Sequence, residues 1–396
     1  MAIRERQVGS ISLTTANMGT VQRLELPKDA VYHTLGLSVK AGTFGVTEAS
    51  STGTGPELDS AFPFCLIKSI RLIRNGSDYV VQMSGRAAAA HAFFANKSHP
   101  YARMYTVSSN TETLLTITDR GLTIPANSQG IGANLGKFVV ATSAGNTVTT
   151  YWDMVLEIPL WLGLDDAAMT SLIDARGLSS WVLEIETDVL SNCYIAGTGN
   201  SAFTCTGTMN VYSVDQDNVK AGVPFATYKR SFQPISGIGY GATNYQQLLP
   251  RGNFYKGICF FARKYRNSGS TVVTDPDDGI ISTIQNRINT QMSLKTVAWQ
   301  DLQAKNVVDS GGRQNAFNTN AAVKQGVAYL SYTSANDTGK ELIPSYSTDV
   351  FDVLVSTNAY TSAQNGATSS TTSPVIEMLI EEVVPGQTID SAKPYG

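Results

Sequence analysis

Short segments in which apolar and polar residues alternate recur from one end of this 396-residue sequence to the other. The clearest are WDMVLEIPL at 152–160 and SWVLEIE at 180–186, where every second residue is apolar. A period of two is typical of a strand with one buried face. Pro159 cannot donate a ladder hydrogen bond, so its strand is predicted to lie at a sheet edge or to bend there. The pattern predicts an all-β protein with many short strands.

A short helix is predicted between these two strands, at 165–176. Asp165 or Asp166 can cap its N-terminus, and Gly177 can end it in the left-handed conformation. A helix of this length is unstable alone in water, so we expect it to dock on the rest of the protein. Its predicted inner face, which supplies candidates for helix docking and subunit packing, consists of Met169, Leu172 and Ile173.

Two further segments have helical character. RAAAAHAFFANK follows Gly85 directly, and the segment 297–306 contains two more packing candidates, Trp299 and Leu302. Each of these predicted helices follows a predicted strand, IKSIRLI in the first half and IISTIQNRI in the second. The halves therefore share a loose order of elements without a fixed sequence period.

The sequence pattern also predicts where the halves separate. Asn75-Gly76 lies between alternating residues and predicts a hairpin in the first half. The segment NVKAGVPFA contains Gly and Pro and reads as a connector. We predict a first sandwich over 1–217, a connector at 218–226 and a second sandwich over 227–396.

The composition limits the classes of partner. Charged residues make up 15% of the sequence, against roughly 25% in typical soluble domains. A polar but weakly charged surface suits packing against copies of the same protein, because few charges lose their water. An extracellular β-sandwich has the same composition. The net charge is −3 and no basic run stands out, which argues against nucleic-acid binding.

The sequence begins MAIRERQVGS, without the apolar stretch of a signal peptide, and no apolar run reaches the roughly 18 residues of a membrane span. The cysteines lack CxxC spacing. Buried free thiols are predicted, with a Cys193–Cys205 bridge as the alternative. The cysteines are Cys65, Cys193, Cys205 and Cys259.

No motif of an active site appears. HExxH, GxSxG and P-loop spacings are absent, and the three histidines lack metal-ligand spacing. In TDPDDG, three carboxylates predict a solvated turn or a weak calcium or lattice-stabilising cation site. They are Asp275, Asp277 and Asp278. The pattern favours a structural protein, with no enzymatic activity and no cofactor.

The order of elements resembles the double jelly-roll major capsid proteins of tailless icosahedral phages with an internal membrane, the tectivirus group. The resemblance is carried by MVLEIPLWLGLDDAAMTSLIDARGLSSWVLEIE, by VKQGVAYLSYTSANDTGKELIPSYSTDVFDVLVSTNA and by TVAWQDLQAKN. It implies two eight-stranded jelly-roll sandwiches in tandem, with short flanking helices, and a function as a major capsid protein. Three chains would form a capsomer of six sandwiches, and these pseudo-hexagonal trimers would tile an icosahedral shell.

The resemblance also implies partners. These are the chain itself as a homotrimer, neighbouring capsomers, and penton and minor capsid proteins. The implied location is the virion capsid, after the host cytoplasm. Family members can carry a longer N-terminal helix that reaches the membrane; here barely ten residues precede the first strand, although Arg4 and Arg6 could contact lipid headgroups.

Two alternatives come from other functional classes. One is a sugar-binding adhesin or virion spike, in which aromatic side chains stack on sugars. The other is a β-rich glycosidase, for which the sequence offers no way to select a carboxylate pair. The aromatic candidates for sugar binding are Tyr240, Tyr245 and Tyr255.

Overall fold

The structure is a computed structural model. It describes residues 3–48, 57–59, 61–94, 101–108, 111–114, 116–119, 122–125, 147–162, 171–195, 200–217, 219, 225–265, 274–289, 292–309, 326–332, 342–346, 348–360 and 373–385.

The chain is mostly β-structure. The strands of the first half are β1 (Arg4–Leu13), β2 (Val21–Glu25), β3 (Val31–Glu48), β4 (Glu57–Leu58), β5 (Ile67–Arg74), β6 (Asp78–Met83), β7 (Tyr101–Ser108), β8 (Thr111–Leu114), β9 (Thr116–Asp119), β10 (Leu122–Pro125), β11 (Thr147–Pro159), β12 (Ile173–Asp174), β13 (Trp181–Thr187), β14 (Tyr194–Ile195) and β15 (Asn200–Gln216). Those of the second half are β16 (Thr227–Pro234), β17 (Tyr245–Leu248), β18 (Phe254–Tyr265), β19 (Thr274–Pro276), β20 (Ile281–Ile288), β21 (Met292–Ala298), β22 (Val327–Ser331), β23 (Ile343–Pro344), β24 (Phe351–Thr357) and β25 (Val375–Val384).

Each half is a sandwich of two four-stranded sheets with the same connectivity. In the first half the sheets are β1-β15-β3-β11, extended by β7 and β8, and β2-β13-β5-β6. In the second half they are β16-β25-β18-β22 and β17-β24-β20-β21. The all-β prediction with two eight-stranded sandwiches is confirmed. The chain crosses between the sheets in the same order twice, as in a jelly roll.

The other two predicted helices, at RAAAAHAFFANK and at 297–306, are confirmed. They are α1 (Gly85–Phe94) and α2 (Trp299–Asp309), and each follows the hairpin that ends the second sheet of its half. Pro159 is the last residue of β11, beyond the point where β7 stops pairing with that strand. Among the described residues β11 has no second ladder partner at Pro159, which agrees with the predicted sheet edge at this residue.

In each half, a tyrosine hydrogen-bonds back across the turn that leads from one sheet to the other. Tyr32 Oη donates a hydrogen bond to the carbonyl oxygen of Pro27 at 2.6 Å, and Tyr255 Oη donates to that of Pro250 at 2.5 Å. The underlying segments, LPKDAVY at 26–32 and LPRGNFY at 249–255, are related in sequence. This local repeat is a signal that the analysis of strand patterns missed.

The same tyrosines meet equivalent aromatic partners in the cores. The Tyr32 ring packs edge-on against Trp181 with centroids 5.7 Å apart, and the Tyr255 ring packs edge-on against Phe351 at 4.5 Å. All four side chains are at most 1% exposed. The two sandwiches thus share packing as well as connectivity.

The hairpin predicted at Asn75-Gly76 is present between β5 and β6. Asn75 adopts a φ of 52°, and Asn289, between β20 and β21, adopts a φ of 53°. Asparagine tolerates this left-handed conformation better than most residues do. Each asparagine Oδ1 accepts a backbone N–H of the neighbouring loop, from Ser179 at 2.9 Å and from Asp349 at 2.7 Å.

The prediction of buried free thiols is confirmed. Cys65, Cys193, Cys205 and Cys259 are free and at most 2% exposed. Burial raises the pKa of Cys205 to about 12, which keeps this thiol protonated and unreactive near neutral pH.

The predicted helix at 165–176 is wrong over its described part. Residues 163–170, which include Met169, lie outside the described residues. Ile173 pairs with Tyr32 as part of β12. The Leu172 backbone N–H binds the carbonyl oxygen of Ala226 at 3.3 Å, so it is not available to a helix. Contacts with distant strands override the local helical pattern.

Leu172 and Ile173 are nevertheless buried. Leu172 is 6% exposed and packs in a small cluster with Val31 and Val219. Ile173 is 2% exposed and belongs to the main core of the first half. Both side chains anchor the return of the chain to β3.

We predict that Tyr32→Phe and Tyr255→Phe each lower the free energy of unfolding by about 1 kcal/mol, because each removes one hydrogen bond from a buried tyrosine to a part-buried carbonyl. The two effects should add in the double variant, since the sites share no partner. Urea unfolding followed by tryptophan fluorescence measures both. Tyr79→Phe is the matched control at a 48% exposed tyrosine, and an equal loss there would contradict the assignment.

Candidate assembly site: the junction between the sandwiches

The two sandwiches are joined by sheet pairing. Strand β16 of the second half runs parallel to β6 of the first, with Arg230 opposite Val81 and Ser231 opposite Gln82. One sheet therefore continues from β18 through β25, β16 and β6 to β13. Backbone hydrogen bonding across the junction restricts how the sandwiches can move relative to each other.

Ion pairs reinforce the end of this strand pair. Lys229 Nζ lies 2.5 Å from Asp78 Oδ1, and Arg74 Nε donates to Asp78 Oδ2 at 2.7 Å. Arg74 Nη1 also donates to Thr227 Oγ1 at 3.1 Å. These contacts connect the β5–β6 hairpin of the first half to the first strand of the second.

Helix α1 covers the outer face of the second sandwich. Ala87, Ala90 and His91 lie on one side of the helix and are at most 2% exposed. Phe261 of β18 and Val327 of β22 face this side across a small cavity of about 30 Å³. The outer face of the second sandwich is therefore covered, which explains why β18 and β25 are buried on both faces over most of their length.

A buried carboxylate lies at the centre of the junction. Glu381 of β25 accepts hydrogen bonds from Tyr228 Oη and Tyr329 Oη and contacts His91 Nε2 of α1. Lys256 Nζ lies 4.0 Å from Glu381 Oε2. The five side chains come from both halves and are at most 6% exposed.

The protonation of this cluster follows from its charges. Burial alone would raise the pKa of Glu381, but the charge of Lys256 and the contacts with His91 and Tyr228 outweigh it and hold the pKa well below its usual range. Burial lowers the pKa of His91, which favours the neutral imidazole. The cluster thus contains an ionised carboxylate satisfied by donors from both halves.

Arg230 is the second charged group of the junction. It is 1% exposed, and its guanidinium lies over the Tyr228 ring, 4.6 Å from the centroid. Its three side-chain nitrogens have no hydrogen-bond partner within the described part of the chain. Burial lowers its pKa. Its charge is balanced by the nearby Glu381, directly opposite in the ladder.

The predicted packing residues of α2 are buried within their own sandwich. Trp299 is 1% and Leu302 is 3% exposed, and both belong to the second core. They dock the helix, and they leave little surface to offer to another subunit.

The predicted cation site is occupied by protein contacts where its side chains are described. Asp278 Oδ1 accepts from Gln303 Nε2 and from the Gly326 N–H, both at 2.6 Å. Asp277 Oδ2 pairs with Lys264 Nζ at 3.0 Å. The side chain of Asp275 lies outside the described set. No cluster of three potential metal ligands occurs among the described residues.

The N-terminal arginines are paired within the chain. Arg4 Nε and Arg6 Nε contact the two oxygens of Asp215 at 2.5 and 2.9 Å, and Arg6 Nη1 also contacts Asp29 at 2.9 Å. A lipid phosphate would have to compete with these carboxylates. Among the described helices, none has the length and apolar character needed to cross a membrane.

Large apolar side chains are exposed at several sites outside the junction. Ile3, directly before β1, is 61% exposed, Met292 of β21 is 62% exposed, and Val308 of α2 is 75% exposed. The alternation of apolar and polar residues in the sequence marks neither them nor the junction residues. The signal available for the junction was the apolar run GICFFA at 257–262 in β18, which is typical of a strand buried on both faces.

Several proteins of known structure share this architecture. No protein-family model and no curated protein matches the sequence. Among solved structures, a chain of Sulfolobus Turreted Icosahedral Virus matches with a TM-score of 0.59 and 14% identity, over 99% of this chain and 94% of that chain. The major capsid protein P2 of bacteriophage PM2 matches with a TM-score of 0.52 and 9% identity, over 98% of both chains.

A third match is the capsid of PBCV-1 virus, with a TM-score of 0.52 and 10% identity over 96% of this chain and 93% of that chain. At these identities the similarity lies in the fold. It extends over both sandwiches. The chain therefore has the double jelly-roll fold of viral major capsid proteins.

Proposed function

We propose that this chain is a major capsid protein that assembles as a homotrimer into an icosahedral virus shell. The observation that carries the proposal is the pair of complete jelly rolls, which matches solved capsid chains over nearly the whole length of both partners. The proposed role is structural, without enzymatic activity or a cofactor.

Physical reasoning supports the trimer. Each chain supplies two sandwiches of the same connectivity, so three chains supply six similar units. A closed ring of three chains then presents nearly sixfold contacts to its neighbours from one gene product. Such pseudo-hexagonal capsomers can tile a shell.

The junction supports this role because a shell subunit must hold its two sandwiches at a fixed angle. Sheet pairing, ion pairs and the Glu381 cluster all cross the junction. We propose the division into sandwiches at 1–217 and 227–396, in agreement with the end of β15 at Gln216 and the start of β16 at Thr227.

The finer assignments stay predictions. They are a tailless phage with an internal membrane as the source, penton and minor capsid proteins as partners, and contact of Arg4 and Arg6 with lipid. The adhesin alternative gains no support from its aromatic candidates. Tyr255 is fully buried, and Tyr245 Oη donates to the carbonyl oxygen of Ser236 at 2.5 Å.

We predict that the purified chain forms a particle with three times the mass of the chain, and that these particles form hexagonal arrays at high concentration. Light scattering after size exclusion and negative-stain electron microscopy measure the two outcomes. A stable monomer at every concentration tested, with specific binding on a glycan array, would instead support the adhesin.

We predict that Glu381→Gln destabilises the protein by roughly 3–5 kcal/mol near pH 7, because it leaves the buried charges of Lys256 and Arg230 without their carboxylate. Glu382→Gln is the matched control. Glu382 is 5% exposed and accepts from Asn253 Nδ2 at 3.0 Å, and burial raises its pKa, so a neutral amide fits there. Chemical unfolding of both variants measures the difference.

The cost of Glu381→Gln depends on pH with a definite sign. The pKa of Glu381 is lower in the folded chain than its ordinary value of 4.5. Its stabilising effect is therefore complete above that value and is lost as the pH falls through the folded pKa. The gap between parent and variant should narrow in acid; a gap that widens between pH 7 and pH 4 would contradict this role of the carboxylate.

A further inference from the structure

We propose that the surface formed by β21 and α2 of one subunit docks against β1 and the adjoining sheet of a second copy, repeating the contact that joins the two sandwiches within the chain. This inference rests on the proposed function and names the subunit interface of the trimer. Four features of the described structure support it.

The first feature is the position of the strands. Strand β6 ends the second sheet of the first half, and its outer side pairs with β16, which begins the first sheet of the second half. Strand β21 has the position of β6, and β1 has the position of β16. In the described part of the chain, β21 pairs only with β20 and β1 pairs only with β15. Within the described residues, each chain thus has one copy of each joining edge without a second partner strand.

The second feature is the register. Strands β5–β6 and α1 correspond to β20–β21 and α2 residue by residue, with a bulge at the same point of each hairpin. Val81 therefore corresponds to Lys295. Arg4 lies opposite Asp215 in the first half, and Lys229 has the same place opposite Glu382 in the second. The residues that follow them, Glu5 and Arg230, therefore also correspond.

Transfer of the observed register gives a complementary pair. Because Arg230 lies opposite Val81 within the chain, Glu5 of one copy would lie opposite Lys295 of the next. Glu5 is exposed and Lys295 is half-buried in the single chain. Opposite charges at paired positions favour this register over its neighbours.

The third feature is the helix. The side of α1 that covers the second sandwich, with Ala87, Ala90 and His91, corresponds in α2 to Asp301, Ala304 and Lys305. These three are exposed. They lie at i, i+3 and i+4 and form one stripe without a partner in the described part of the chain. Val308, which follows Lys305 by three residues in α2, is 75% exposed.

The surface that would receive this stripe also has the matching charge. His91 meets Glu381 beside Tyr329 within the chain. In the second half Tyr329 lies opposite Cys259 of β18. Gly36 of β3 is the residue that corresponds to Cys259 in the first half, and the residue opposite it is the exposed Glu157. Lys305 of one copy therefore approaches Glu157 of the next.

The fourth feature is apolar burial. Tyr228 is 1% exposed inside the junction. Ile3, directly before β1, is the residue that corresponds to Tyr228 in the same register, and it is 61% exposed. Met292, at the position of Asp78, is 62% exposed. Covering these side chains with a second copy removes apolar surface from water, which drives association.

The contact is head-to-tail, because the donor surface of β21 and α2 differs from the acceptor surface at β1. A head-to-tail contact forms a closed ring if its rotation closes and an open filament if it does not. Three chains joined this way alternate first and second sandwiches around a ring of six.

Charge exchange tests the helix contact. Lys305→Glu and Glu157→Lys, made singly, should each raise the protein concentration for half-assembly on the order of tenfold, because like charges then meet at every junction. The double variant should recover most of the parent value. Lys28→Glu and Glu25→Lys, at exposed residues outside both surfaces, are the matched controls and should leave assembly unchanged.

Cysteine pairing tests the strand register. Neighbouring strands lie about 4.8 Å apart, within the span of a disulfide. Glu5→Cys combined with Lys295→Cys should give a covalent trimer on a non-reducing gel after mild oxidation, and the buried native thiols should contribute little background. Glu25→Cys combined with Lys295→Cys is the control and should remain uncrosslinked.

The outcomes separate the two proposals. A parent chain that stays monomeric overturns both the trimer and this interface. A parent that forms trimers overturns the interface alone if charge exchange has no effect and the Glu5–Lys295 pair gives no crosslink. Recovery in the double charge variant together with the crosslink supports the interface.

Discussion

The arrangement of this protein depends on one buried contact, in which helix α1 and strand β6 of the first sandwich cover the outer face of the second. Glu381 lies at its centre and is satisfied by donors from β16, β22 and α1. A buried carboxylate without such donors would be strongly destabilising. The cluster therefore favours the observed relative placement of the two sandwiches.

That contact also explains an asymmetry between two sandwiches of the same connectivity. The outer sheet of the second is covered by its own chain, whereas the corresponding sheet of the first carries exposed Glu5 and Glu157. The β6 edge is paired, and the β21 edge has no second partner strand among the described residues. A chain with one satisfied and one unsatisfied version of the same contact is suited to add further copies of itself, which agrees with the proposed role in a shell.

Local patterns predicted the strands, both confirmed helices, the hairpin at Asn75 and the buried thiols, because each depends on alternation, capping or side-chain polarity over a few residues. The helix at 165–176 failed for the opposite reason. Its sequence has helical signals, but Ile173 pairs with β3 and the N–H of Leu172 binds Ala226. Distant strands thus decided the conformation of that segment.

The sequence by itself determined that the chain folds as two β-sandwiches, since alternating segments can bury their apolar faces only by pairing into sheets. Only the tertiary structure decided which sheet faces are covered by the other half of the chain. Arg230 and Glu381 read as surface residues in strands, yet they are buried because the other half of the chain lies over them. Burial of that kind depends on contacts between residues far apart in sequence, which no local period records.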